Sequence, residues 1–222
     1  MTTCGLLLYP GLTQLDLTGP WEVLHRIPGV SLHTVWKDRS VVRADSGLAL
    51  VPSTAFADCP PLDLLLVPGG YGQVHLMGDE QVLEFLRSQG ARARWVTSVC
   101  TGSLLLGAAG LLAGYRATTH WAYHELLALF GAIPEEARVV VDRNRITAGG
   151  VTAGVDFGLR VAAELGGRRL AERIALELEY DPAPPFGPGH PRVSDPALVA
   201  ELKAAVERSL AERRELLSGG GA

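Results

Sequence analysis

Trp95-Val96-Thr97-Ser98-Val99-Cys100-Thr101-Gly102-Ser103 is the stretch on which the fold turns. It opens as an apolar strand and reaches a cysteine where strand character stops. It then runs on in small residues that begin a helix. A strand turning sharply into a helix at a nucleophile is the layout of hydrolases with a GxSxG elbow. Ser98 and Gly102, two positions either side of Cys100, are the small residues such a turn needs. The turn projects its side chain from the carboxyl edge of a parallel sheet, where open α/β sheets bind ligands. The helix N-terminus behind it supplies free N–H groups and the positive end of a dipole. Both features predict a Cys100 thiol more acidic than the ordinary value of about 8.5. The competing reading is a core cysteine, the commonest state of a free thiol.

Working outward, apolar runs closed by turn residues alternate with segments of helical period, the pattern of an α/β protein with a mostly parallel sheet. Gly5 to Tyr9, Ser31 to Trp36 and Leu62 to Val67 read as strands, and Val41-Val42 with Leu48 to Leu50 as a hairpin. Helices are expected from about Thr18, from Asp79 to Gln89, from Thr101 to Leu112 and from Ala122 to Phe130. A strand from Arg138 to Val141 follows, and Ile146 to Gly150 leads into a helix from about Val155 to Leu165. Gly166-Gly167 breaks that helix, and a helical pattern resumes at Arg168. Residues 1–181 form the expected catalytic domain. Pro182 to Pro191 is an extended arm because of its prolines, leading to a last helix ending near Leu217 and a frayed Gly219–Gly221 tail. Residues 182–222 are too few to build a core, so they are expected to pack on the same domain.

Composition narrows the function. Hydrophobic residues at 47% against 20% charged supply a core, and a net charge of −4 without a basic run argues against nucleic acid. No stretch approaches the ~18 apolar residues of a membrane span. The N-terminus lacks the basic region and cleavage site of a signal peptide. Three widely spaced cysteines, Cys4, Cys59 and Cys100, suggest free thiols in the cytoplasm rather than disulfides or zinc. The histidines show no ligand spacing and the glycine runs no phosphate-loop spacing, so neither metal nor cofactor is expected.

Two further features fall at the same sheet edge. Gly69-Gly70 ends the Leu62–Val67 strand, either as an ordinary turn or with N–H groups joining that of Thr101 to stabilise negative charge. Asp16, in the loop after the first strand, either caps the coming helix or is buried between Leu15 and Leu17 and exchanges a proton near neutrality. His120 either completes a Cys–His pair or is structural.

The segments Leu15-Asp16-Leu17-Thr18-Gly19-Pro20-Trp21-Glu22-Val23-Leu24, Val67-Pro68-Gly69-Gly70, Ser98-Val99-Cys100-Thr101-Gly102 and Ala117-Thr118-Thr119-His120-Trp121 together resemble the DJ-1/PfpI superfamily, and within it the isonitrile hydratase branch. The resemblance runs from the first strand to about Tyr180. It implies a flavodoxin-like sandwich of the class I glutamine amidotransferase-like kind, with helices on both faces of the sheet, and a homodimer. It also implies Cys100 as nucleophile, Asp16 as its partner carboxylate, Thr101 as adjacent polar contact, Tyr180 as a pocket residue and a small-molecule substrate. Protease members carry histidine directly after the cysteine, where this chain has Thr101. Members that act on glyoxals or glycated substrates generally use a glutamate where this chain has Asp16, which ranks that chemistry lower. The Cys-Thr-Gly and Thr-Thr-His-Trp segments also occur in the sensor domains of AraC-type regulators. A non-catalytic sensor of small molecules or of oxidation is therefore the alternative, although only an arm and one helix follow Tyr180.

Overall fold

The computed structural model describes residues 1–219, with side chains described through Glu207. The elements run β1 (Thr2–Leu7), α1 (Gln14–Leu24), β2 (Val30–Trp36), β3 (Val42–Arg43), β4 (Ala49–Leu50), β5 (Thr54–Ala55), β6 (Leu64–Val67), α2 (Gln73–Leu76), α3 (Glu80–Gly90), β7 (Trp95–Val99) and α4 (Gly102–Ala108). They continue as β8 (Arg116–Ala117), a 3-10 segment (Trp121–Phe130), β9 (Ile133–Pro134), β10 (Val139–Asp142), β11 (Arg145–Ala148), α5 (Ala153–Gly166), α6 (Arg168–Glu177) and α7 (Pro196–Gly219).

The central sheet has the order β10-β11-β7-β6-β1-β2-β5. Every pairing in it is parallel except β10 with β11. Val67 on β6 sits opposite Ser98 on β7, which in turn faces Thr147 on β11. The carboxyl ends of these three strands therefore share one edge, and the segments after them meet there. The strand centres are apolar because helices cover both faces, as parallel sheets require; Leu64 to Val67 are all buried.

Several boundaries differ from the expectation. α1 begins at Gln14, so Asp16 lies in its first turn rather than in a preceding loop. Pro20 sits inside this helix instead of at its start, and Thr18 turns its hydroxyl back to the Gln14 carbonyl rather than capping. α4 stops at Ala108 because Gly110 takes φ +77°, a left-handed turn that ends the helix. The expected helix at 122–130 is wound as 3-10, with His120 as its cap. Asp79 caps α3, accepting from the Val82 N–H at 3.3 Å.

Beyond Tyr180 the chain runs without helix or strand to α7. Val206 of α7 packs against the core. Gly220 and Gly221 of the expected tail lie outside the described residues. Among the described residues no helix is long and apolar enough to cross a membrane.

Candidate active site

Cys100 follows β7 directly and adopts φ +55°, a left-handed backbone that non-glycine residues rarely take. Such a conformation persists only where surrounding bonds hold it. Here the Cys100 N–H donates to the carbonyls of Ala148 (3.1 Å) and Gly149 (2.9 Å). Its own carbonyl accepts from the hydroxyls of Thr119 (2.9 Å) and Ser103 (3.2 Å). The residue is 6% exposed. The close turn also requires Gly102, since a Cβ there would lie 2.0 Å from the Val67 carbonyl oxygen.

α1 brings Asp16 to the same place, fully buried at 0% exposure. Its Oδ2 accepts from the Gly69 N–H at 2.9 Å. Its Oδ1 has no hydrogen-bond partner. The Cys100 thiol stands near enough that each group shifts the other's titration. Gly69 has no room for a side chain: a Cβ would fall 2.6 Å from the Thr101 nitrogen and 2.8 Å from Asp16 Oδ2. The Gly70 N–H donates to the Thr101 hydroxyl at 3.1 Å. Both N–H groups that the sequence offered for stabilising negative charge are thus bonded to side chains of the site. They fix Asp16 and Thr101.

Burial pushes the Asp16 carboxyl up to about 7, against the opposing pull of the Gly69 N–H and of Cys100. The expectation of an acidified thiol is overturned. The N–H groups of Thr101 and Val151 do favour the thiolate, but burial, followed by the charge of Asp16, outweighs them and raises the Cys100 thiol. Cys100 and Asp16 are therefore a buried pair in which a charge on one suppresses ionisation of the other.

The other candidates lie differently. The Tyr180 hydroxyl donates to Asp156 at 2.9 Å, and Asp156 also pairs with Arg138 at 2.7 Å. This places Tyr180 against the first turn of α5, whose approach supplies Val151. His120 accepts from the Ala122 N–H through Nδ1 at 3.3 Å, and its ring lies against Gly150, where a Cβ would be 2.8 Å from Cδ2. Cys4 and Cys59 are unpaired, and burial pushes their thiols up to about 12 and about 11. Among the described residues no three His, Cys, Asp or Glu side chains gather as metal ligands. Sequence reasoning missed the Val151 amide and the Thr119 hydroxyl. Thr119 stood inside a noted motif, but nothing local ties it to a residue nineteen positions back.

A model of the DJ-1/PfpI family matches residues 4–164. The chain belongs to the DJ-1/PfpI family. Within that family it is 56% identical over 212 residues to an isonitrile hydratase of Pseudomonas putida, covering 96% of this chain and 93% of that enzyme. It is 31% identical to the HTH-type transcriptional regulator GbdR of Pseudomonas aeruginosa, over 93% of this chain but only 61% of the regulator. The crystal structure of a ThiJ/PfpI family protein from Pseudomonas syringae superposes with a TM-score of 0.95 at 45% identity, covering 97% of this chain and 90% of that one. A mostly parallel α/β sandwich of the flavodoxin-like kind is thus common to this DJ-1/PfpI chain and its solved relatives.

Proposed function

We propose that this protein is an isonitrile hydratase, adding water to R–NC to give an N-substituted formamide without a cofactor. The observation that carries the reading is 56% identity to the Pseudomonas putida enzyme over nearly the whole of both chains. The buried Cys100–Asp16 pair supplies a chemistry for it.

In the productive state Cys100 is the thiolate and Asp16 the acid, a single proton transfer from the resting thiol and carboxylate. The sulfur attacks the terminal isonitrile carbon, and that carbon takes the Asp16 proton, giving the thioimidate S–CH=N–R. Asp16, now a carboxylate, removes a proton from water as the oxygen adds to the same carbon. The nitrogen receives that proton. Collapse of the tetrahedral adduct breaks the C–S bond, releases HC(O)–NHR and returns the thiolate, the hydroxyl proton going to Asp16. A carboxyl held near 7 suits both halves of the cycle. Thr101 braces the Gly70 turn beside the sulfur, and Tyr180 acts through Asp156 in the first turn of α5. His120 takes no part in proton transfer.

The same reading makes the working unit a cytoplasmic homodimer that binds a small molecule and no nucleic acid. Three unpaired thiols suit a reducing compartment. Burial of Cys100 counts against an oxidation sensor, whose cysteine needs exposure and thiolate character. The test is incubation with cyclohexyl isocyanide while formamide is measured. Wild-type protein turns over and Cys100→Ala does not. A wild-type rate no higher than that of the alanine variant ends the proposal.

A further inference from the structure

We propose that Thr119 is a positioning residue for Cys100, bracing the nucleophile's left-handed backbone against the rest of the fold. The carbonyl of Cys100 has two hydroxyl donors, and they are not equivalent. Ser103 is in the first turn of α4, three residues on, and moves with the cysteine. Thr119 belongs to a separate loop after β8, buried, and its hydroxyl reaches that carbonyl at 2.9 Å. That loop is itself fastened, because the Thr118 N–H donates to the Thr147 hydroxyl of β11 at 2.9 Å.

β11 also ends in Ala148, whose carbonyl accepts the Cys100 N–H. The two sides of the Cys100 backbone are therefore tied to one rigid strand, the nitrogen directly and the carbonyl through Thr119. The next residue of the loop, His120, rests its ring on Gly150, beside Val151. One short segment thus sets both the nucleophile's backbone and the turn bearing the Val151 amide that faces the sulfur. Loss of the Thr119 hydroxyl frees the Cys100 peptide plane to rotate and carries Sγ off the line of the Thr101 and Val151 N–H groups. The thiolate then loses stabilisation, so its formation moves to higher pH.

The kinetic arm of the test rests on the hydratase reading, whereas the labelling arm does not. Thr119→Val keeps the shape and removes the donor; Thr119→Ser keeps the donor. Iodoacetamide labelling of Cys100 is followed by mass spectrometry across pH, and isonitrile turnover in parallel. Thr119→Val is expected to label roughly tenfold more slowly at pH 7, with its profile displaced to higher pH, and to lose about tenfold in kcat with KM within about twofold. Thr119→Ser is expected to recover most of both. A valine variant that labels like wild type, or a folded serine variant as impaired as the valine one, overturns the proposal. If the valine variant does not fold, the serine variant decides alone: a labelling rate within about threefold of wild type supports the hydroxyl, and a tenfold loss overturns it. A wild type inert to isonitriles sinks the hydratase reading and leaves labelling to judge Thr119.

Discussion

At Asp16 a single residue sets catalysis against stability. Its carboxyl is raised by burial to about 7 in the folded protein from an ordinary value of 3.8. The folded state therefore binds this proton more tightly than the unfolded chain does, and stability falls as pH rises between about 4 and 7. Above that window the buried charge costs on the order of a few kcal/mol. Asp16→Asn keeps an acceptor for the Gly69 N–H but carries no charge. Thermal melts of wild type and Asp16→Asn across pH are expected to converge near pH 4. The variant becomes the more stable by several °C at pH 8, while hydration is lost. A difference constant across this range would show that Asp16 does not titrate there.

At the scale of elements, the site depends on how closely α1 lies on α5, because α1 carries Asp16 and the turn before α5 carries Val151. Glycines set that distance. A Cβ on Gly158 would fall 2.7 Å from Val23 Cβ, and one on Gly154 2.9 Å from Pro20 Cδ. Val23 Cβ is the root of its side chain and cannot swing away, so Gly158→Ala forces the helices apart. It is expected to cost about 1–3 kcal/mol in denaturant titration and to lower kcat for hydration. Gly78→Ala, with nothing within 4 Å of the added carbon, is the control and should stay within about 0.5 kcal/mol. The Pro20 contact also explains why the start of α1 was not legible. A proline after Thr-Gly reads locally as a first-turn residue, and only packing on α5 reveals it as an interior one. The strands β1, β2, β6 and β7 were legible because apolar runs punctuated by Gly and Pro need no tertiary information, and β7 begins and ends where its sequence says; the two-residue β5, β8 and β9 carry no such run. Cys100 and the Gly69-Gly70 turn stood out because each follows a strand's carboxyl end, whereas the roles expected of Asp16 and Thr101 came from the family resemblance. The direction of the Cys100 shift was not legible, since burial sums over every element that covers the sulfur.

For the whole molecule, the question is what the last forty or so residues do. Among the described residues, the fully buried apolar side chains run from Cys4 to Ile174, and beyond Tyr180 only Val206 packs on them. The arm's ion pair, Arg192 with Glu136 at 3.8 Å, is exposed on both sides and contributes little. We therefore place the folding unit at 1–181 and treat 182–222 as an appendage to it. A chain ending at Asp181 is expected to unfold in one transition, with a denaturant slope reduced only slightly and a melting temperature lower by no more than about 4 °C, the equivalent of roughly 1 kcal/mol at this size. Light scattering on the same truncated protein separates the arm's two possible duties. If the full-length and shortened chains are both dimeric and active, the appendage is dispensable to both. If it becomes monomeric while still folded, α7 belongs to the dimer interface. A truncated chain that cannot fold refutes the division, because it would mean that α7 supplies more to the core than the Val206 contact seen among the described residues.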